Sequence, residues 1–200
     1  GIHKLHHRQS IRRRPDDSPH FHPRAALYPG GLLPHYLTMP EALALIEFNS
    51  LARGLRSLDA LVKRAPVQVL EANLIEPGRY LILFAGGVAE VEESFDAATE
   101  VGKSAIVDRM LLPQVHPGLV GGLRGLEDVR SADEMDTLGV VEGRHVARTL
   151  LACDRSLKDA QVRLSGVRVA GGLGGKAYYL IFGPQHDVEV AVEVGVSQLG

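Results

Sequence analysis

Hydrophobic positions change their spacing in a regular order between Ala42 and Leu112 of this 200-residue chain. A short apolar run, ALALIE, precedes a segment in which leucines recur every three or four residues, the spacing of one helix face. Ser50, just before that segment, is a typical helix N-cap. There follow an alternating Val-rich segment, a Glu-Pro-Gly turn, an apolar run, a second helical pattern and a last apolar run. The pattern predicts the element order β-α-β-β-α-β.

The same order is repeated further along the chain. Glu47 aligns with Glu142 at an offset of 95 residues, and beyond the next strand the offset becomes 97, which aligns Glu92 with Glu189. A duplicated unit of this length sets the architecture. We therefore predict the α/β (α+β) class, with two tandem ferredoxin-like βαββαβ domains and antiparallel sheets. Two copies in one chain also suggest a pseudo-symmetric assembly.

Composition excludes several classes of function. A formal net charge of −2 gives no electrostatic case for a nucleic acid or a membrane as partner. No apolar run approaches the roughly 20 residues that cross a bilayer, and one cysteine, Cys153, makes no internal disulfide, which favours the cytoplasm. Cys153 aligns with Leu58, so we expect a small buried hydrophobic residue. No nucleophile–base pair or metal cluster can be assembled, so we expect no enzyme, no catalytic residue, no metal and no cofactor.

Two stretches carry a resemblance to a known family: ALALIEFNSLARGLRSLDALVKRAPVQVLEA and LGVVEGRHVARTLLACDRSLKDAQVRLSG. In each, a strand that ends in Glu leads into a helix that closes with Lys, followed by a small residue and a Val-rich strand. This order resembles the domain of bacterial microcompartment (BMC) shell proteins. Two such domains imply the tandem class, whose homotrimers mimic hexamers and tile the shell beside hexameric and pentameric shell proteins. The resemblance also implies that two trimers can stack face to face.

The second copy differs from the first at its end. Its last helical pattern, near residues 187–196, is followed by no counterpart of the apolar run 105–112, and a sheet without that strand would expose unpaired backbone. IHKLHHRQSIRRRPDD, at the front of the chain, resembles the strand and Arg-Pro turn that close the family's domains. We therefore expect a circular permutation; the alternative is that the first forty residues form a tag or tail. The predicted boundaries are 1–14 for this strand, 15–39 for a linker, 40–123 for the first domain, 124–136 for a second linker and 137–200 for the second domain.

The family also implies a central pore for small metabolites, lined by the loop between the second and third strands of each domain. Glycines allow several backbones to crowd a symmetry axis, and their N–H groups together with Lys176 would favour anions. The alternative is a polar hairpin turn with no traffic through it. The pore-lining residues expected from the resemblance are Ile75, Glu76, Pro77, Gly78 and Arg79 in the first copy and Gly171, Gly172, Leu173, Gly174, Gly175 and Lys176 in the second.

By the same resemblance Lys63, Lys158 and Arg14 would lie at tile edges. The alternative for the two lysines is a solvated side chain favoured by the helix dipole. Asp59 and Asp154 precede them by four residues, which predicts ordinary surface ion pairs. We therefore predict a structural shell protein of a cytoplasmic microcompartment. The alternative function is a ferredoxin-like oligomer that binds or senses a small molecule with its turns.

Overall fold

The computed structural model describes residues 40–125, 137–169 and 172–199. The predicted strand 1–14, the linker 15–39 and residues 126–136 of the second linker lie outside this range. The first copy contains β1 (Ala42–Phe48), α1 (Leu51–Arg64), β2 (Gln68–Ile75), β3 (Arg79–Gly86), α2 (Val88–Gly102), β4 (Ile106–Pro113) and α3 (Pro117–Leu123). The second contains β5 (Thr137–Gly143), α4 (Val146–Asp159), β6 (Arg163–Val169), β7 (Ala177–Gly183) and α5 (Gln185–Leu199). Among these described elements, no helix is long and apolar enough to cross a membrane.

The first sheet has four antiparallel strands in the order β2-β3-β1-β4, which confirms the predicted ferredoxin-like fold. β1 lies between β3 and β4 and is buried along its whole length. Ile46 and Phe48 face the α1 and α2 side, whereas Leu43 and Leu45 belong to a cluster on the opposite face. Ser50 caps α1 as predicted, because its hydroxyl accepts a hydrogen bond from the Arg53 N–H at 3.4 Å.

The second sheet has three antiparallel strands in the order β5-β7-β6. Within the described ranges β5 pairs with β7 alone, although its counterpart β1 has a strand on each side. β5 alternates between exposed and buried positions because one face of its sheet is open, while β1 is buried on both faces. The described part of the second domain thus has one sheet edge that is covered in the first.

α3 is the one described α-helix that the sequence did not predict. It begins at Pro117, a favoured first helical residue, and the His116 side chain accepts a hydrogen bond from the Gly118 N–H at 3.1 Å. Three of its seven residues are glycines, which have low helix propensity and hide the helical pattern. The helix lies against β6, where a Cβ on Gly122 would sit 2.5 Å from Leu164. Packing between the two domains therefore stabilises a helix that local sequence disfavours.

One hydrophobic core extends through both domains. α4 of the second domain contacts β4 and α3 of the first. Leu43 and Leu45 from β1 fall in the same buried cluster as Leu150 and Leu157 from α4. The described domains accordingly form one compact unit and not two independent bodies.

Candidate functional site

The two turns predicted to line a pore lie against each other within a single chain. A Cβ added to Gly175 would lie 2.7 Å from the carbonyl oxygen of Glu76, in the turn between β2 and β3. Gly175 also has a φ of +79°, which side chains rarely adopt. Gly172 and Gly174 share this left-handed conformation, whereas Gly171 lies outside the described residues. Gly175 thus allows the two turns to approach closely, whereas a Cβ on Gly172 or Gly174 would meet nothing within 4 Å.

Each turn is bordered by an ion pair at the equivalent place. Arg79, at the start of β3, lies with its Nη1 atom 3.1 Å from Oε2 of Glu47, at the end of β1. Lys176, just before β7, lies with its Nζ atom 2.7 Å from Oε1 of Glu142, at the end of β5. The duplication has therefore kept a glutamate–base pair beside both turns.

The two pairs differ in their environment. The Glu47 side chain is 2% exposed, and this burial raises its pKa, although the hydrogen bond from Arg79 opposes the shift. The Glu142 side chain is 58% exposed, and the hydrogen bond from Lys176 lowers its pKa. The sequence predicted both bases at the turns but not the glutamates that bind them. The repeat carried a signal for these pairs, because Glu47 aligns with Glu142 and Arg79 aligns with Lys176.

Glu76 differs from the two bases because its side chain has no partner among the residues that the structure describes. It is exposed, and within the described chain no hydrogen bond or ion pair engages its carboxylate. Pro77 and Gly78 beside it are exposed as well, and Leu173 is half-buried. Ile75 corrects the predicted pore lining: it is 5% exposed and packs in the core, because β2 is still regular at this position.

Three apolar positions recur on the corresponding faces of α1 and α4. On α1 they are Leu51, Leu55 and Val62, which are 43%, 48% and 47% exposed. On α4 they are Val146, Leu150 and Leu157, which are 0%, 0% and 5% exposed and lie in the shared core. The same helix face is thus covered in one copy and open in the other.

The sheets show the reverse asymmetry. Leu43 and Leu45 of β1 are fully buried in the shared core. Their equivalents on β5, Leu138 and Val140, are 51% and 56% exposed. Each domain therefore has an apolar helix face and an apolar sheet face, and one face of each kind is uncovered in the chain.

The two aspartate–lysine pairs on α1 and α4 also differ. Asp59 and Lys63 form the predicted surface pair, at 2.7 Å with side chains 61% and 72% exposed. Asp154 is not a surface residue: it is 1% exposed, its Oδ2 atom lies 2.6 Å from Lys158 Nζ, and its Oδ1 atom accepts a hydrogen bond from the His116 N–H at 2.7 Å. The sequence missed this role because the partner N–H belongs to the other domain. Arg14, the third predicted edge residue, lies outside the described range.

Cys153 is fully buried, as predicted, and burial raises the pKa of its thiol. A protonated thiol inside an apolar core is a poor metal ligand and a poor nucleophile. The described ranges also contain no group of three or more His, Cys, Asp or Glu residues that could hold a metal ion.

Comparison with known proteins agrees with the repeat. The family model for the BMC domain matches residues 42–115 and 137–200. The bacterial microcompartment shell protein PduT of Citrobacter freundii is 33% identical over 162 residues, which cover 81% of this chain and 86% of that protein.

Solved structures are similar as well. A microcompartment protein from Desulfitobacterium hafniense superposes with a TM-score of 0.72 at 33% identity, over 78% of this chain and 85% of that one. A fused permuted hexameric shell protein from the RMM microcompartment shares the fold, with a TM-score of 0.50 at 16% identity over 78% of this chain and 80% of its own. The chain thus belongs to the BMC-domain family and is a structural shell protein of a bacterial microcompartment, with two copies of the domain.

Proposed function

We propose that three copies of this chain close into a flat, pseudohexameric ring of six domains, which tiles the shell together with other shell proteins. The observation that carries this proposal is the pair of complementary apolar surfaces that one chain leaves open. Inside the chain, the α4 face lies in the same core as the β1 face. The two open surfaces, the α1 face with Leu55 and the β5 face with Val140, are their equivalents in the other copy.

One open surface belongs to each domain, and the contact between the two domains of a chain covers neither of them. A neighbouring copy can repeat that contact head to tail, and a head-to-tail contact forms a ring when its rotation closes. Burying the exposed halves of Leu51, Leu55 and Val62 contributes on the order of 2–4 kcal/mol per contact. The same contact between neighbouring copies would also bury the apolar area around Leu138 and Val140.

The same repetition supports a central pore. Within one chain the turn at Glu76 already touches the turn at Gly175. Repeating the domain contact brings the next copy's turns into the same relation, so that six turns surround one axis. Small metabolites would pass between them, with selectivity set by the width and charge of the opening. A ligand-holding role for the turns is the alternative; the cleft described in the first domain is lined by α2, the short segment after it and β4.

Lys63 offers a test of the tile that leaves the ring intact. Its side chain is 72% exposed at the end of α1, as expected for a residue at an outer edge. Light scattering after size-exclusion chromatography should give about three times the chain mass of 21.6 kDa for both the wild type and Lys63→Asp. Electron microscopy should show extended sheets for the wild type only. A wild-type mass of one chain would overturn the ring, and sheets formed by Lys63→Asp would overturn its role at the edge.

We also propose that residues 1–14 supply the strand that β5 lacks on one side. In the first domain, β4 fills this place and pairs with β1 over seven residues. The 25 residues from 15 to 39 can span roughly 80 Å when extended, so the N-terminal segment can reach the edge of β5. The proposal is supported by the fused permuted shell protein, which has the same fold.

Hydrogen exchange tests this completion of the second sheet. Deleting residues 1–14 should speed amide exchange in the peptide that covers β5, Thr137–Gly143, because an edge strand without a partner opens more readily. The peptide that covers β1 serves as the matched control, since β1 has two partners without this segment. Equal exchange of β5 in the deleted and full chains would contradict the proposal.

A further inference from the structure

We infer that the pore favours cationic and neutral metabolites over anions. The inference rests on the proposed ring, in which the turns at Glu76 and Gly175 surround the axis. The charge that faces a passing molecule depends on which of Glu76, Arg79 and Lys176 has a partner of opposite charge.

The two basic residues are already neutralised by carboxylates. Arg79 lies 3.1 Å from the buried carboxylate of Glu47, and Lys176 lies 2.7 Å from the carboxylate of Glu142. A cation and an anion this close present almost no net charge to a molecule several ångströms away. Neither base is therefore a free positive charge at the opening.

Glu76 remains as the uncompensated charge of the two turns. Its side chain is exposed and has no ion-pair partner among the described residues. Its backbone lies at the contact between the turns, since the Glu76 carbonyl oxygen is the nearest atom to a Cβ built on Gly175. The ring repeats this residue three times, so that three carboxylates lie around one axis.

The pairing reverses the expectation from sequence that Lys176 and the glycines favour anions. Lys176 is bound by Glu142, which lies 34 residues earlier in the chain and outside the turn. Three carboxylates within one Debye length of the axis are expected to enrich a small cation over an anion on the order of tenfold at physiological salt. Neutral molecules are not affected by this electrostatic attraction.

Charged nitroxide probes of metabolite size measure this preference directly. We would add trimethylammonium-TEMPO or carboxy-TEMPO to protein labelled at leucine methyl groups and record the relaxation of Leu74, which is 62% exposed beside the turn. The cationic probe should relax these methyl groups on the order of tenfold more than the anionic probe. Glu76→Gln should bring the ratio close to one. Glu92→Gln, which removes an exposed carboxylate from α2, should leave it unchanged.

A second variant tests the pairing itself. Glu142→Gln releases Lys176 and should shift the ratio several-fold toward the anionic probe. A wild-type ratio below one, or a ratio that Glu76→Gln does not change, would overturn the inference while a trimeric mass of the same samples leaves the ring standing. A mass of one chain would overturn the ring and the pore charge together.

Discussion

Replacing Leu55 with aspartate should leave the protein as single chains of 21.6 kDa instead of rings about three times heavier. Leu55 lies at the centre of the open α1 face and is 48% exposed in one chain. Its equivalent Leu150, on α4, is fully buried in the contact that the ring would repeat. An unpaired carboxylate in such a contact costs several kcal/mol, which exceeds the expected gain from the neighbouring apolar side chains. Light scattering after size-exclusion chromatography would measure the mass.

Arg56→Asp is the matched control for this prediction. It places the same aspartate one residue further along α1, where the side chain is also exposed but lies away from the apolar face. This variant should keep the wild-type mass. Both variants should keep the wild-type circular dichroism, since neither residue is buried in one chain. If Leu55→Asp remained trimeric, the α1 face could not be the surface that joins neighbouring copies.

Replacing Asp154 with alanine should lower the free energy of unfolding by about 2–4 kcal/mol. The side chain is 1% exposed and accepts hydrogen bonds from the His116 N–H and from Lys158. Alanine would leave a backbone donor at the start of α3 and a half-buried ammonium group without an acceptor. Because α3 is short and rich in glycine, its intrinsic helical stability is low, and it depends on this hydrogen bond.

The equivalent change in the first copy supplies the comparison. Asp59→Ala removes an exposed pair and should change the free energy of unfolding by less than about 0.5 kcal/mol. Urea titrations of both variants in the Leu55→Asp chain would measure the two effects with the α1 face uncovered. Equal losses for Asp59→Ala and Asp154→Ala would show that the contact with His116 does not hold the domains together.

The sequence predicted the elements whose signals come from neighbouring residues. The helical spacing after Ser50 and the turn at Glu76 depend on residues close together in the chain, and the structure contains α1 and that turn where they were expected. α3 was missed because its glycines give no helical signal and its stability comes from packing on β6.

The site residues whose roles were not predicted make contacts with residues that are distant in the chain. Asp59 and Asp154 have the same local pattern, and only the nearby first domain makes Asp154 a buried acceptor. The charge at the turns likewise depends on Glu47 and Glu142, which lie more than thirty residues before the bases that they bind. The repeat preserved these pairs in both copies, so comparing the copies residue by residue was the available route to them.

The core shared by α4 and the first sheet has a consequence for the way assembly depends on concentration. Half of the domain contacts in the proposed ring form when each chain folds, at the high effective concentration of one molecule. The ring then needs three bodies to meet instead of six, so its abundance rises with the third power of concentration and not the sixth. A cell could therefore assemble these tiles from a small pool of subunits, and dilution would release chains with both domains still packed together.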